Sequence, residues 1–154
     1  MRLMQSFEGI RAKGFVRMDI LDAQDLSKIL YTQYSHNLIV ATGRIYLGLL
    51  LKGSEPAPTD VGVGVDATAA ADGQTALLNQ AFKSNITQRL DITNGLRIRY
   101  LLSSSSANGN TLTEAAILGP SPNLYMLSRV THTGIVKSAS VAVNYTWDIT
   151  FTQP

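Results

Sequence analysis

The chain ends in a run of strict alternation. In "SVAVNYTWDITF", the residues Val141, Val143, Tyr145, Trp147, Ile149 and Phe151 alternate with Ala142, Asn144, Thr146, Asp148 and Thr150. Six apolar residues at period two set one face of a β-strand against a core and the other against water. A helix would scatter the same positions around its circumference. These six residues are therefore the expected core of the final strand. Four other segments carry the same signal. "GFVRMDIL" sets Val16, Met18 and Ile20 opposite Arg17 and Asp19, and "LRIRYLL" sets Leu96, Ile98, Tyr100 and Leu102 opposite Arg97 and Arg99. "TLTEAAIL" places Leu112, Ala116 and Leu118 on one face, and "LYMLSRV" does so for Leu124, Met126 and Val130. Turn residues separate the runs at Asn94-Gly95, Asn108-Gly109, Gly119-Pro120-Ser121-Pro122 and Thr133-Gly134. Short strands joined by turns predict a mainly β protein, an antiparallel β-sandwich of jelly-roll-like type.

Two stretches predict short helices. "SHNLIVATGRIYLGLLLKG" has Leu38, Ala41, Ile45 and Leu49 at helical spacing, with Ser35 or Asn37 as N-cap and Gly53 as stop. A buried strand from Ile45 to Leu51 is the competing reading. "DGQTALLNQAFKS" aligns Leu78, Ala81 and Phe82, with Asp72 or Thr75 as cap. Between them, Val61, Val63 and Val65 mark a short strand within a loop, and "SSSSANGN" (103–110) reads as an exposed hairpin tip. The first residues differ from the rest. Met1, Leu3, Met4, Phe7 and Ile10 are apolar without a sustained period. Such side chains are a liability in water unless a partner covers them. The expected organisation is an extended arm over 1–13, with those five residues as subunit contacts, and a single sandwich domain over 14–154.

Composition narrows the function class. The length of 154 residues suits one domain with a real core. Charged residues make up 16%, against roughly 25% in a typical soluble domain, and charge is depleted at the cores of protein contacts. A formal charge of +2 without a Lys/Arg run predicts no nucleic-acid partner. The loose basic group of Arg2, Arg11, Lys13 and Arg17 reads as a solvated end or a contact for an acidic neighbour. There is no cysteine, so disulfides and thiolate metal sites are excluded. The longest apolar run, near Ile45 to Leu51, falls far short of the roughly 20 residues that cross a bilayer. The N-terminus lacks the apolar region of a secretion signal. No membrane partner is expected, and a protein made and used inside a bacterial cell fits.

The search for catalytic or cofactor chemistry returns little. "GVGVDA" (62–67) matches the outline of a dinucleotide fingerprint, but that motif needs a strand before it and a helix after it. The residues before it are the Pro-rich "GSEPAPTD". His36 and His132 stand far apart with no ligand spacing, and no G-x-S-x-G elbow occurs. Glu114 shares parity with Leu112 and Ala116, so it points inward or closes a turn. Asp148 belongs to the polar face. Neither has a base or second carboxylate at motif spacing. Arg97, Arg99, Tyr100 and Tyr125 would make a sugar or nucleotide platform only if they shared a face, and parity sets Tyr100 opposite the arginines. A solvated face or an intersubunit ion pair is the stronger reading. No catalytic residue, metal or cofactor is expected.

The order of segments adds a resemblance. "NGNTLTEAAILGPSPNLYMLSRVTHTGIVKSASVAVNYTWDITF" looks like the C-terminal half of a broad group of tailed-phage structural proteins, with their N-G turn, "TEAGLF"-like and "LLARV"-like strands and a final V-x-W-x-I-x-F strand. "HNLIVATG", the "VGVG" beat and "DGQTALLNQAF" are also similar to stretches of that group, so the likeness spans residues 35 to 151. The chain departs from it at Ala116, where Gly is common, and at Gln80, where Glu is common. The resemblance implies a virion protein assembled in the bacterial host cytoplasm. The leading expectation is a non-enzymatic capsid decoration (cement) protein that bridges capsid subunits. Its partners would be itself, as a homotrimer by similarity to jelly-roll decoration proteins, and the major capsid protein or tail proteins. A tail, baseplate or fibre-adaptor subunit is the first alternative, and a carbohydrate-binding sandwich of a receptor-binding protein the second.

Overall fold

A computed structural model describes residues 10–153. The described chain is mainly β, with nine strands and one helix. The strands are β1 (Arg11–Asp22), β2 (Asp25–Ile39), β3 (Asp60–Gly64), β4 (Gln80–Asn85), β5 (Gln88–Ile92), β6 (Gly95–Leu102), β7 (Thr111–Leu118), β8 (Met126–Val136) and β9 (Val141–Thr152). The helix α1 (Ala41–Lys52) lies between β2 and β3. All nine strands join one antiparallel sheet in the order β4-β3-β7-β8-β2-β1-β9-β6-β5, which curls into a half-barrel. The bend falls at β2. Its first thirteen residues pair only with β1 among the described residues, while Leu38 and Ile39 reach β8 through Arg129 and Ser128. Curling brings the two arms of the sheet onto one core. Val16, Met18 and Ile20 of β1, Ile98 and Tyr100 of β6 and Tyr145 and Trp147 of β9 meet Val61, Val63, Leu112, Ile117 and Val130 from the other arm.

The alternating segments form the strands expected of them. In β9, Val143, Tyr145, Trp147 and Ile149 are buried and Val141 is half-buried. Phe151 departs from the expected core set at 38% exposure, because the strand runs past the end of the core. In β6, Ile98, Tyr100 and Leu102 point inward. In β7 and β8 the expected faces do not hold, for a specific reason. The register between them shifts at Leu112/Glu114, where Thr113 faces His132, Thr133 and Gly134, and at Ile117/Leu118, where Leu127 is the extra residue of β8, and such irregularities break the simple alternation. Leu112 therefore packs with Ala115 and Ile117 in the main core, whereas Ala116, Leu118 and Met126 form a second cluster with Val40. Leu124 lies outside β8 and is exposed.

Four other expectations are corrected. The helix begins at Ala41, so Ser35 and Asn37 lie in β2 and cap nothing. The first-turn amide of Ala41 is satisfied instead by the carbonyl of Asp72. Gly53, the expected stop, does end the helix in the left-handed region at φ 72°, donating to Leu49 and Leu50 carbonyls. The buried face carries Gly43 and Tyr46, with Ile45 60% exposed. "DGQTALLNQAFKS" forms no helix: it is a turn-rich loop followed by β4. Thr133-Gly134 is no turn but lies inside β8. The serine-rich stretch is not a hairpin tip either, since β6 and β7 are not paired to one another and it crosses between the arms of the sheet. Asn94-Gly95 does make the expected tight turn, with Asn94 at φ 56° between β5 and β6.

Candidate assembly surface

The charged groups that the sequence singled out are held in structural networks. Glu114 lies fully buried beside Arg129, with Arg129 Nη2 at 2.8 Å and Nε donating at 2.9 Å to Glu114 Oε2. This carboxylate lies under the loop before β4. Glu114 also accepts the amides of Leu78 (3.2 Å) and Asn79 (2.8 Å). Arg129 Nη1 donates to Thr68 O and Gln74 Oε1 at 2.8 and 3.0 Å. The pair thus lashes the 65–79 loop to β7 and β8, although Arg129 Nη2 has only the ion-pair contact with Glu114 and no hydrogen bond. Glu114 does point inward, as its parity implied, and its partner Arg129 is the residue the sequence reading missed.

Lys137 was also missed. It is 1% exposed and donates to Asn108 Oδ1 at 2.9 Å and to the carbonyls of Ser138 and Ser104 at 3.0 and 3.3 Å. Burial lowers its pKa. Its role is to fasten the serine-rich crossover. His132 sits beside the buried Tyr145 ring, and burial lowers its pKa below the usual imidazole range. His36 lies on the opposite, outer face near Phe15. No group of His, Asp and Glu that would hold a metal occurs among the described residues. Arg97 and Asp148 do pair, but within the chain, across β6 and β9, by two 2.7 Å bonds. Tyr100 is buried away from them and Tyr125 stacks on Tyr46, so the imagined platform is not assembled.

The unusual features of the surface lie on β2 and beside α1. Residues Asp25–Tyr31 of β2 are exposed on both strand faces. Leu26, Ile29, Leu30 and Tyr31 are 46–49% exposed and Tyr34 is 61% exposed. Tyr34 stacks on the exposed Phe15 at 5.7 Å. The side of this strand away from β1 carries unpaired ladder groups as far as Asn37 among the described residues. An apolar edge strand left open in this way is a template for another chain. Its residues, with no clean period, gave no signal in the sequence. An exposed strand need not alternate, because neither face meets a core.

Next to it, α1, seated on β8 at Gly43, borders a cleft of about 1060 Å³. Leu47, Leu50 and Leu51 form one wall. Ala12 and Gly14 of β1, Asn37 and Ile39 of β2 and Phe151 of β9 form the others, with Ile10 at its edge. Of the expected arm contacts, Ile10 is 77% exposed, while Met1, Leu3, Met4 and Phe7 lie outside the described residues. β1 begins at Arg11, so residues 11–13 of the stretch read as an arm run in the sheet. No described helix is long and apolar enough to cross a membrane. No protein-family model, curated protein or solved structure matches the chain.

Proposed function

We propose that the chain is a non-enzymatic structural subunit of a phage particle, a capsid decoration protein that stabilises the head shell by bridging capsid subunits. The observation that carries the assembly reading is the open, apolar edge of β2. Five large apolar side chains stand in water there, and among the described residues the strand pairs as far as Asn37 with β1 alone, an arrangement that a partner chain would cover by adding a strand and burying the side chains. Repetition of such contacts, each burying roughly 800 Å² per partner, turns modest affinities into a stable shell. The phage assignment rests on the resemblance of residues 35–151 to tailed-phage structural proteins. In this reading the two arms of the sheet serve as the two layers of a jelly-roll-like sandwich, and copies associate as a homotrimer.

Sedimentation velocity tests the edge. The native chain is expected to sediment as a trimer, and Ile29→Lys/Tyr34→Lys as a folded monomer with an unchanged far-UV spectrum. A native chain that stays monomeric at millimolar concentration would sink the reading. Mass spectrometry of purified heads and tails locates the subunit, and recovery from tails alone would replace the decoration role with a tail or baseplate one. A second reading has one observation in its favour. A concavity of about 230 Å³ on the outer face places the Phe15 ring beside Arg17, Asp19, Arg97 and Asp148, which is the kind of lining that binds sugars. Binding on a glycan array that Phe15→Ala abolishes would favour that carbohydrate-binding role.

A further inference from the structure

The outer face of β1, β9 and β6 gathers three arginines around one hydroxyl. In register, Arg17 of β1 lies opposite Thr146 of β9, and Thr146 lies opposite Arg99 of β6. The next row runs Phe15, Asp148, Arg97. Neighbouring strands stand about 4.8 Å apart, so Arg17 and Arg99 are two spacings from each other, within reach of long side chains. All three arginines line the concavity of about 230 Å³ on this face, and Arg97 is near enough to Arg17 to oppose its charge. Two aspartates offset part of that repulsion. Asp19 accepts from Arg17 Nε at 2.9 Å, and Asp148 from Arg97 Nε and Nη2 at 2.7 Å each. Arg99 is left, among the described residues, with Gln88 Oε1 at 3.4 Å, a long contact for an N–H donor. Three arginines against two aspartates leave one positive charge, and it is centred on Arg99.

Each part of the lining suits a particular ligand group. A guanidinium without a carboxylate of its own takes one from a ligand through paired N–H bonds. Phe15 is 39% exposed, with Tyr34 stacked on it, and it offers an apolar wall for the C–H face of a sugar ring. Asn144 and Thr146 line the same concavity, and an amide and a hydroxyl both donate and accept, as sugar hydroxyls require. Size and charge then narrow the ligand. The volume falls below the roughly 300–1,000 Å³ of sites for drug-sized molecules, which suits one ring. A surplus of one charge matches a carboxylate, whereas a phosphate monoester carries about −1.5 to −2 and would meet two aspartates. The geometry points to a site for one acidic sugar, uronic or sialic in type, whose carboxylate pairs with Arg99 while its ring lies against Phe15. This rests on the carbohydrate-binding reading, and it adds the charge of the sugar and the residue that selects it.

Saturation-transfer NMR titrations of the full chain test this, with glucuronic acid, N-acetylneuraminic acid, glucose and inorganic phosphate as probes. One of the two acids is expected to bind roughly tenfold tighter than glucose, the worth of a hydrogen bond to a charged group. Arg99→Gln is expected to erase that preference while leaving the affinity for glucose and the circular dichroism unchanged. Phe15→Ala is expected to weaken the acid and glucose alike. Glucose that binds as tightly as either acid, or a preference that survives Arg99→Gln, overturns the acidic-sugar assignment and leaves the carbohydrate reading standing. Phosphate that displaces the acid at equal concentration overturns it as well, since the site then takes any anion. No signal from any of the three sugars also overturns it, and a blank glycan array beside that result removes the carbohydrate reading too.

Discussion

At the scale of single residues, the most constrained chemistry in this protein is the buried pair of Glu114 and Arg129. Both side chains are fully buried. Desolvating two charges is costly, and attraction in the low-dielectric interior offsets that cost only when the geometry is good and the other hydrogen-bonding positions are filled. Here Leu78 and Asn79 donate to Glu114 and Arg129 Nη1 donates to Thr68 and Gln74, while Arg129 Nη2 has the 2.8 Å ion-pair contact with Glu114 and no hydrogen bond. Removing one partner leaves an uncompensated charge. Glu114→Ala is therefore expected to lower stability by about 3–5 kcal/mol, read as a shift of the urea midpoint. Glu114→Leu/Arg129→Met should recover much of that loss, because it removes both charges and keeps apolar volume. If the double variant is as unstable as the single one, the pair acts through the 65–79 loop contacts rather than through charge. Half of this pair could be read in the sequence. Glu114 falls on the apolar parity of "TLTEAAIL", which marked it as inward. Arg129 sits equally conspicuously in "MLSRV", but nothing in the spacing tells which strand it will face.

At the scale of elements, α1 shows what pattern alone can and cannot give. Its existence and its stop at Gly53 are legible from the sequence, but its start and its buried face are not. The helical beat of Leu38, Ala41, Ile45 and Leu49 points to one face. The observed contact is made by another, because packing is dictated by the small residue. Gly43 lies so close to β8 that a Cβ there would fall 1.9 Å from Leu127 O, and Tyr46 follows it inward to donate to Pro56 O at 2.6 Å. Gly43→Ala is expected to push the helix off β8 and to lower stability by about 1–3 kcal/mol, the usual cost of overpacking against backbone. Gly48→Ala, with open space around its Cβ position, should stabilise slightly through helix propensity. Thermal melts of the two variants check this, and equal behaviour would mean that α1 is not seated on β8 as described. The register shifts between β7 and β8 explain the other misread element. The period-two rule identified the strands correctly, but β8 carries the extra residues, with His132, Thr133 and Gly134 set against Thr113 and Leu127 unmatched, and Thr133-Gly134, read in the sequence as a turn, marks the first of these places. The second expected helix failed differently. Leu78, Ala81 and Phe82 have helical spacing, but the backbone amides of Leu78 and Asn79 are captured by a carboxylate from another strand. That tertiary bond overrides local propensity.

At the scale of the whole molecule, two strand ladders are joined by very little backbone. Among the described residues only Leu38 with Arg129 and Ile39 with Ser128 pair β2 to β8, so the ladder alone would let the two arms of the sheet open separately. Side chains argue the opposite. One core cluster draws Val16, Tyr100, Tyr145 and Trp147 from one arm and Val61, Leu112, Ile117 and Val130 from the other, and all eight are buried in it. Burial of a large aromatic or aliphatic side chain contributes roughly 1.5–3 kcal/mol, well above the net worth of a backbone hydrogen bond at about 0.5–1.5 kcal/mol. Shared packing should therefore dominate over the thin seam, and the two arms should unfold as one unit. The check uses two probes placed on different arms. Trp147 fluorescence reports β9, and hydrogen exchange of the β7 and β8 amides reports the other arm. Their urea midpoints are expected to coincide, as in a two-state transition. A midpoint for β7 and β8 that falls clearly below that of Trp147 would mean that the arms are separate cooperative units, held together by the seam and not by the core.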